Sequence, residues 1–374
     1  MGDPDGGGLV VRAAVLRRAG ADLSIEDIPL AYPRSGEVLV RIEATGVCHS
    51  DLSVIRGKVS ATLPLVPGHE AAGVVEWIGA GVERVVTGDR VALSWAPNCG
   101  DCFYCARDHP TLCTVYGTAA GHGALWDGSS RLGTDGSIRH YSCISSFAEY
   151  AVVPEAACVR LPDAVPFAIG ALVGCAVTTG FGAVVNDAAV LAGESVAVLG
   201  IGGVGINALQ AAAYAGARTI VAIDIDPAKA AAAQSFGATD FVDARDVDAA
   251  MLVHRLTGGR GVDHAIECTG HTEAVQLAYA ATRPAGNVVV VGIAPTHANI
   301  VIPATGFPGS KKRIIGSIYG GGRPADDFHR IFELYLAGKL HLDRQLSATM
   351  SLEEVNVALR LMESGTTGRI MLKP

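Results

Sequence analysis

SVAVLGIGGVGINALQAAAYAG, residues 195–216, is the stretch that decides the fold of this chain. It starts with a short apolar strand pattern, passes through glycines at 200, 202, 203 and 205, and continues into an alanine-rich helical pattern. The order of strand, glycine-rich turn and helix is typical of the phosphate-binding turn in dinucleotide-binding α/β domains. A lone glycine motif is weak evidence, so the flanking sequence has to support it.

The supporting residue is Asp224, which ends the next predicted strand about twenty residues after the last glycine. The glycines permit a tight turn and a close approach of the backbone to a pyrophosphate at the helix N-terminus. The Asp224 carboxylate would accept hydrogen bonds from ribose hydroxyls and repel a 2′-phosphate. The pattern therefore predicts an NAD site; the simpler alternative is a capping aspartate in the turn-like DIDP segment.

The alternation of apolar strands and helices extends over residues 177–320 and predicts a parallel sheet covered on both faces. Residues 9–160 instead contain short β segments between Gly, Pro and Asp, which predicts an irregular, mostly β domain. Amphipathic helices follow after about residue 320, one of them opening with a capping box at Ser351 and Glu354. The final RIMLKP resembles a strand that returns to the first domain.

Composition excludes several classes of protein. The net charge of −8, with no basic stripe, argues against nucleic-acid binding. The MGDPDGGG start lacks the features of a secretion signal, and no apolar run is expected to approach the ~20 residues of a membrane span. Nine cysteines, an odd number without an export signal, favour metal ligands and buried thiols in a reducing cytoplasm over a disulfide framework.

Four of these cysteines form a compact pattern in PNCGDCFYCARDHPTLC, residues 97–113. Cys99, Cys102, Cys105 and Cys113 could supply four thiolates to a tetrahedral Zn²⁺, which closes the metal to substrate. An iron–sulfur cluster is the nearest alternative, but the last gap spans seven residues and no proline follows Cys113. The segment therefore predicts a structural zinc site.

A second set of potential ligands is dispersed: Cys48 in GVCHSD, His69 and Glu70 in PGHEAAG, and Cys175 in VGCAVTTGFG. A buried cysteine is commonly a small hydrophobic residue, and a single histidine is more often a satisfied polar group than a ligand. Two cysteines and one histidine would leave the fourth position of a zinc ion open, as a catalytic site requires. Spacing alone cannot bring such distant residues together.

These motifs occur with GDRVAL, GATDFVD, IECTG and GTTGRI in one order along nearly the whole chain. In that order the sequence resembles the zinc-dependent alcohol dehydrogenases of the medium-chain dehydrogenase/reductase superfamily. The resemblance implies an α/β fold in which a GroES-like, mostly β catalytic domain (1–176, with the zinc lobe 97–113) is interrupted by a doubly wound Rossmann domain (177–320). Residues 321–374 would complete the catalytic domain.

The resemblance also implies roles for individual residues. Cys48, His69 and Cys175 bind a catalytic zinc with Glu70 nearby, and Asp51 hydrogen-bonds the ligating histidine. The four cysteines of the lobe bind a second zinc. The NAD site comprises Gly200, Gly202, Gly203, Val204, Gly205, Asp224, Lys229, Thr179 and Arg369. Trp95 and Tyr141 either shape the substrate pocket or are ordinary aromatic core residues.

The implied reaction is the reversible oxidation of a small-molecule alcohol to an aldehyde or ketone. Zinc acts as a Lewis acid on the alcohol oxygen, Ser50 takes the proton, and hydride passes to NAD⁺. The best-known branch of the family has a histidine where this chain has Ser53, so the proton path ends differently here. His49 is a candidate for that end or for a pyrophosphate contact.

Two alternative functions remain at this stage, a thiol-dependent formaldehyde (S-hydroxymethyl-thiol) dehydrogenase and a noncatalytic dinucleotide-binding protein. The Gly-rich insertion at 117–140 is similar to the long loop of the dimeric branch of the family. It implies a homodimer that pairs edge strands near Ile293–Ile302.

Overall fold

The structure is a computed structural model that describes residues 8–295, 297–365 and 368–374. Three short parts of the chain lie outside the described residues: residues 1–7, Thr296 and Thr366–Thr367. The expectation on export concerns the first part, that on dimer pairing includes the second, and the GTTGRI motif includes the third. The strands are β1 (Gly8–Val15), β2 (Ser24–Ala31), β3 (Glu37–Gly46), β4 (Leu65–Val66), β5 (Glu70–Ile78), β6 (Arg90–Leu93), β7 (Arg139–His140), β8 (Tyr150–Pro154), β9 (Cys158–Arg160), β10 (Ser195–Leu199), β11 (Thr219–Asp224), β12 (Asp240–Asp243), β13 (Val262–Glu267), β14 (Thr282–Val290), β15 (Arg313–Gly316), β16 (Leu346–Ser351) and β17 (Arg369–Lys373). The α-helices are α1 (His49–Ile55), α2 (Thr114–His122), α3 (Phe167–Leu172), α4 (Thr178–Gly182), α5 (Gly203–Tyr214), α6 (Ala230–Ser235), α7 (Ala249–Leu256), α8 (Thr272–Ala281), α9 (Gly306–Ser310), α10 (Pro324–Leu336) and α11 (Val355–Glu363).

The chain divides into two compact units. The first comprises Met1–Cys175 and Arg323–Pro374, and the second comprises Ala176–Gly322. The sequence analysis placed the corresponding boundaries at 176/177 and 320/321. The predicted architecture, a mostly β part together with a parallel α/β part, is confirmed.

The first unit is built on a seven-stranded sheet in the order β16-β17-β3-β5-β6-β9, with β8 also paired to β3. The long antiparallel pair β3 and β5 forms its centre. β17 pairs with β3 through Met371 and Leu372, so the last residues do return to this sheet as predicted. The capping box of Ser351 and Glu354 is also present, at the start of a 3₁₀ turn before α11.

The second unit contains a six-stranded parallel sheet in the order β12-β11-β10-β13-β14-β15. All five residues of β10 are buried, as expected for a strand covered by helices on both faces. The strand order reverses between β10 and β13. In open parallel sheets ligands bind outside the carboxyl ends of the strands at such a switch point, and the glycine-rich turn follows β10 there.

One helical run in the described chain, Phe167–Asp187, is long and apolar enough by length and composition to cross a membrane. The expectation that no apolar run approaches that length was therefore wrong, because Asp187 is the sole charged residue of this segment. In its most apolar window, 78% is buried inside the protein, as in the core helix of a folded domain. Two π-helical turns, Val173–Val177 and Ala183–Asp187, interrupt its α-helical geometry.

The edge strand expected near Ile293–Ile302 is not formed within the single chain. The described residues of this range contain no strand, and the two edges of the parallel sheet are β12 and β15. Pro295 and Pro303 lie within and just after the range, and proline cannot donate a ladder hydrogen bond. The segment instead exposes apolar side chains, among them Ile293 and Val301.

Candidate active site

The first unit brings Cys48, His69, Glu70 and Cys175 together, with one ligand atom of each residue within 4.8 Å of the others. Cys48 is the N-cap of α1, and His69 directly precedes β5, whose first residue is Glu70. Cys175 lies in the first π-helical turn of the long helical run. Three separate elements thus converge on one point, which sequence spacing could not show.

Asp51, on the first turn of α1, orients this cluster and is itself fully buried. Its Oδ1 lies 3.0 Å from Nδ1 of His69 and accepts a hydrogen bond from the Gly68 N–H at 3.0 Å. Its Oδ2 accepts from the Cys48 N–H at 3.2 Å. With Nδ1 held by the carboxylate, Nε2 is the imidazole nitrogen left to bind a metal.

Glu70 and Arg369 form a buried ion pair beside the cluster, with Oε1 and Nη2 3.3 Å apart. Arg369 also donates from Nη1 to the Val47 carbonyl oxygen at 2.8 Å. Burial raises the pKa of Glu70 to about 8, although the Arg369 guanidinium acts to lower it. Ionisation of the Glu70 carboxylate is therefore unfavourable at this buried site. The nearest positive charge, the Arg369 guanidinium, also donates a hydrogen bond to the Val47 carbonyl oxygen.

The two thiols of the cluster behave as a pair. A hydrogen bond from the Cys175 thiol lowers the pKa of Cys48 well below its ordinary value, and the same bond raises that of Cys175. Ser50 places its Oγ 3.8 Å from Sγ of Cys48 and is half-buried, whereas His49 is exposed. The Ser50 hydroxyl therefore lies near the cluster, and the neighbouring residue in the chain, His49, is in contact with solvent.

One of the two predicted pocket residues, Tyr141, lies against a residue of this cluster. The Tyr141 ring meets the His69 ring edge-on, with centroids 5.6 Å apart and an interplanar angle of 82°. Trp95, the other predicted pocket residue, packs against Tyr116 at 6.0 Å. Tyr116 was not among the residues predicted from the sequence; it lies in the first turn of α2, the helix that begins directly after Cys113.

The second cysteine cluster also has the geometry of a metal site, with the sulfurs of Cys99, Cys102, Cys105 and Cys113 all within 4.8 Å of one another. Backbone N–H groups point at these sulfurs: Cys102 N donates to Cys99 Sγ and Cys99 N to Cys113 Sγ, each at 3.4 Å. The backbone N–H groups of Cys105 and Thr114 stabilise the thiolate and lower the pKa of Cys102 to about 5. The lobe has no secondary structure longer than 3₁₀ turns between these cysteines.

The second unit contains the glycine-rich turn between β10 and α5. Gly200 has φ of +88°, and a side chain there would overlap Thr269 in the loop after β13. A Cβ on Gly202, the N-cap of α5, would contact no protein atom within 4 Å, so no protein contact requires glycine there. Gly203, Val204 and Gly205 form the first turn of α5.

Asp224 ends β11 beside this turn and is buried. Its Oδ2 accepts from the Ile201 N–H at 2.7 Å and from Lys229 Nζ at 2.9 Å, and its Oδ1 accepts from the Asp226 N–H at 3.0 Å. The carboxylate thus organises the glycine turn itself, and its two oxygens keep further acceptor capacity. Thr179 lies in α4 and is buried.

Comparison with known proteins identifies the family. A family model described as "Alcohol dehydrogenase GroES-like domain" matches residues 34–163, and one described as "Zinc-binding dehydrogenase" matches residues 203–337. Together the two models cover most of the chain and both of its units.

Two curated relatives align over nearly their full length. The chain is 39% identical to "Putative alcohol dehydrogenase D" of Mycobacterium tuberculosis (strain ATCC 25618 / H37Rv), over 94% of this chain and 96% of the relative. It is 37% identical to an S-(hydroxymethyl)glutathione dehydrogenase of Synechocystis sp., over 96% of this chain and 99% of the relative.

Solved structures share the whole architecture. Benzyl alcohol dehydrogenase from Acinetobacter calcoaceticus superposes with a TM-score of 0.93 at 31% identity, covering 98% of this chain and 99% of that chain. A zinc-binding dehydrogenase from Sinorhizobium meliloti 1021, bound to NADP, superposes with a TM-score of 0.81 at 25% identity, covering 98% and 100%. The chain therefore belongs to the zinc-dependent alcohol dehydrogenases of the medium-chain dehydrogenase/reductase superfamily.

Proposed function

We propose that this oxidoreductase reversibly oxidises an alcohol to an aldehyde or ketone by hydride transfer to NAD⁺, with one catalytic and one structural zinc per chain. The observation that carries the proposal is the convergence of Cys48, His69 and Cys175, with Asp51 holding the imidazole from behind. Two thiols and one imidazole leave a fourth zinc position for substrate.

The residues of both clusters fit zinc. Thiolate and imidazole are ligands that Zn²⁺ prefers, and a backing carboxylate on the histidine is the usual support of such a ligand. The four-cysteine cluster offers a closed set of sulfurs, two of which accept backbone N–H groups. Because the four cysteines of the lobe form one cluster of free thiols rather than disulfide pairs, we assign the protein to a reducing cytoplasm.

At the open site a bound zinc would supply Lewis-acid activation of the alcohol or carbonyl oxygen. The protein's own groups do the rest. Asp51 fixes the His69 tautomer, and the Ser50 hydroxyl is placed to accept the proton of the alcohol. His49, exposed at the start of α1, is our candidate for releasing that proton to solvent in place of the absent histidine at position 53.

The glycine turn supports NAD as the hydride acceptor. No protein atom near Gly202 would clash with a side chain at this position. A glycine is nevertheless expected there if a pyrophosphate has to approach the backbone closely. A buried carboxylate at Asp224 disfavours the 2′-phosphate of NADP. Lys229 partly offsets this preference through its contact with Asp224, and the NADP-bound relative makes cofactor choice the first property to test.

Zinc analysis and a cofactor comparison test the proposal. We expect about two zinc ions per chain and a kcat/KM for NAD⁺ well above that for NADP⁺ with a panel of primary and secondary alcohols. Cys48→Ser should abolish turnover while the far-UV spectrum and the zinc of the four-cysteine cluster persist. Full activity of Cys48→Ser, or a clear NADP preference, would contradict the corresponding part of the proposal.

The alternative with specific support is an S-hydroxymethyl-thiol dehydrogenase, since one of the curated relatives has that activity in its name. Its signature is formaldehyde oxidation that requires an added low-molecular-weight thiol. Thiol-independent oxidation of simple alcohols excludes it as the main activity. A noncatalytic role is disfavoured because the ligand set and the Ser50 hydroxyl are all present.

We infer a homodimer that uses the apolar surface of the second unit. Val301, Ile302 and Pro303 line a groove of about 580 Å³ together with Tyr279 of α8, and Val301 is 70% exposed. Val301→Asp should halve the mass measured by light scattering. The matched control is Leu191→Asp, at a residue exposed to 67% in the same unit, which should leave the mass unchanged. A monomeric wild-type protein would refute the inference.

A further inference from the structure

We propose that a cavity in the first unit, lined by the start of the four-cysteine lobe and by part of the Gly-rich insertion, binds a small organic carboxylate. The cavity has a volume of about 400 Å³ and shares no residue with the Cys48–His69–Cys175 cluster. Pockets of this size hold small molecules when a few polar groups in their walls fix the ligand. The inference goes beyond the proposed function and does not depend on it.

Five separate segments form the walls of this cavity. They are residues 34–37 at the entry to β3, Arg84 in the loop before β6, residues 98–99 of the lobe, residues 126–127 of the insertion and residues 154–156 at the end of β8. These segments are far apart in sequence, so the cavity exists only in the folded unit.

The buried guanidinium of Arg131 holds two of these walls together. Its Nε donates to Glu37 Oε2 at 2.8 Å and its Nη2 to Glu37 Oε1 at 2.5 Å. The same Nη2 donates to Asp127 Oδ2 at 2.7 Å, and Arg34 Nη1 donates to that oxygen at 2.8 Å. Because a bidentate pair fixes orientation as well as distance, the insertion is fastened to the entry of β3.

The carboxylates at the cavity are engaged within the protein. Burial acts to raise the pKa of Asp127, but hydrogen bonds from Arg131 and Ser129 lower it overall, so this carboxylate is ionised and already paired. Glu155 Oε1 accepts from the backbone N–H groups of residues 83 and 84. Among the described residues, these carboxylates belong to no group that could hold a metal ion. The cavity is therefore poorly suited to a cation.

Three hydrogen-bond donors of the lining residues are left without an acceptor. The indole Nε1 of Trp126 is buried and has no hydrogen-bond partner. Within the described part of the chain, neither the exposed guanidinium of Arg84 nor the half-buried carboxamide of Asn98 makes a hydrogen bond or an ion pair. A buried N–H without an acceptor costs free energy, and an oxygen of a bound ligand would recover it.

These donors determine the class of ligand. A guanidinium and an indole N–H only donate, so their complement is a group of acceptor oxygens, and a carboxylate matches the planar fork of Arg84. The ring of Trp126 and the side chain of Pro154 offer apolar surface to the body of such a ligand. Because the Glu155 carboxylate lines the same cavity, a single negative charge is tolerated better than the two of a phosphate dianion.

The test uses the indole N–H of Trp126 as the reporter and benzoate as the probe. The chain contains 3 tryptophans, so zinc-loaded protein with ¹⁵N-labelled tryptophan gives one indole signal for each, assigned with Trp77→Phe and Trp126→Phe. Benzoate should shift the Trp126 signal in a saturable manner, because its carboxylate accepts a hydrogen bond from Nε1. The dissociation constant is taken from this signal alone, so benzoate bound elsewhere on the protein does not enter it.

Two further ligands test the recognition of charge. Benzamide has nearly the shape of benzoate without its charge and should bind about tenfold more weakly, because the charge-assisted hydrogen bonds to Arg84 are lost. Inorganic phosphate at pH 8 should also bind more weakly than benzoate, because it brings a second negative charge toward Glu155 and lacks an apolar body.

Two arginine variants assign the binding to the cavity. Arg84→Gln should weaken benzoate binding about tenfold, and the exposed position of Arg84 makes a folding defect unexpected. Arg18→Gln is the matched control, since it removes the same charge from an exposed residue of the same unit that does not line the cavity. It should bind benzoate as the wild-type protein does.

Three outcomes would overturn the inference. The first is a Trp126 signal that benzoate does not shift in a saturable manner. The second is binding of benzamide or phosphate as tight as that of benzoate, and the third is an equal effect of Arg84→Gln and Arg18→Gln. The readout is binding rather than turnover, so a protein that oxidised no alcohol would still confirm or refute this site.

Discussion

Oδ1 of Asp51 lies 3.0 Å from Nδ1 of His69, and both side chains are buried. The same carboxylate caps α1 by accepting from the Cys48 N–H, so one residue orients two of the ligands. Its removal would therefore disturb the proposed metal site without deleting any of the proposed ligands. This makes Asp51 a sensitive test of the catalytic zinc.

Asp51→Ala should weaken zinc binding at the Cys48–His69–Cys175 site by about 10–100-fold, because the imidazole loses its orienting acceptor. Zinc content after graded chelator dialysis measures this. The four-cysteine cluster of the same chain is the internal control and should keep its zinc. Asp51→Asn retains an oxygen acceptor for Nδ1–H, so its zinc affinity at this site should lie between that of the wild-type protein and that of Asp51→Ala. Loss of both metals in parallel would contradict the assigned role.

Cys105→Ser should destabilise the protein before it impairs the chemistry. The buried thiol lies in a lobe with little secondary structure, so a lost ligand removes much of what orders it. We expect a loss of about 3 kcal/mol or more in unfolding free energy, with the catalytic zinc retained. Cys143→Ser, a buried thiol that donates to the Ala124 carbonyl, is the control and should keep both metals. An unchanged melting temperature for Cys105→Ser would refute a structural metal.

Acid should destabilise the protein through His140. Burial, reinforced by the Arg131 guanidinium, lowers the pKa of His140 from 6.5 to about 3. Because the folded pKa lies below the unfolded one, this contribution to stability is complete above pH 6.5 and is lost as the pH falls toward 3. Between pH 7 and pH 5 the loss from one such histidine is about 2 kcal/mol.

Urea unfolding at pH 7 and pH 5 measures that loss. His140→Gln should show a pH-dependent loss about 2 kcal/mol smaller than that of the wild-type protein. The control is His122→Gln at the exposed end of α2, which should behave as wild type. Identical pH dependence in His140→Gln and wild type would show that His140 does not remain neutral in the folded state.

Glu267 should determine how well the dinucleotide site is formed. It is fully buried at the carboxyl end of β13, and its Oε1 accepts from the Thr269 N–H and hydroxyl, each at 2.5 Å, and from the Gly270 N–H at 2.9 Å. These bonds shape the loop that packs against Gly200 at the switch point of the sheet. Glu267→Leu should weaken NADH binding about tenfold, or ~1.4 kcal/mol.

The control for this prediction lies on the same strand. Asp263, near the amino end of β13, accepts from the Ser195 N–H at 2.8 Å and pairs with Arg283. Asp263→Leu should lower the melting temperature without changing the dissociation constant of NADH, measured by fluorescence titration. Equal effects of the two variants on NADH binding would show that Glu267 stabilises the fold and does not specifically shape the dinucleotide site.

Several features of this protein could be derived from the sequence alone. The period of the apolar residues, the glycines 200–205 and Asp224 predicted the parallel α/β unit, because these patterns reflect local backbone geometry. The clustering of Cys99, Cys102, Cys105 and Cys113 could be predicted because all four lie within one short segment, and their sulfurs do lie within 4.8 Å of one another. Local patterns failed at Phe167–Asp187, where an apolar helix is buried in the core.

Tertiary structure decided the candidate catalytic centre. Cys48, His69 and Cys175 are far apart in sequence, and only the packing of α1, β5 and the long helical run brings their ligand atoms within 4.8 Å. The contact between Trp95 and Tyr116 likewise exists only in the folded chain, and no sequence periodicity predicts it. The physical reason is that short-range patterns report backbone conformation, whereas a cluster of dispersed potential ligands depends on long-range contacts whose geometry exists only after the chain has folded.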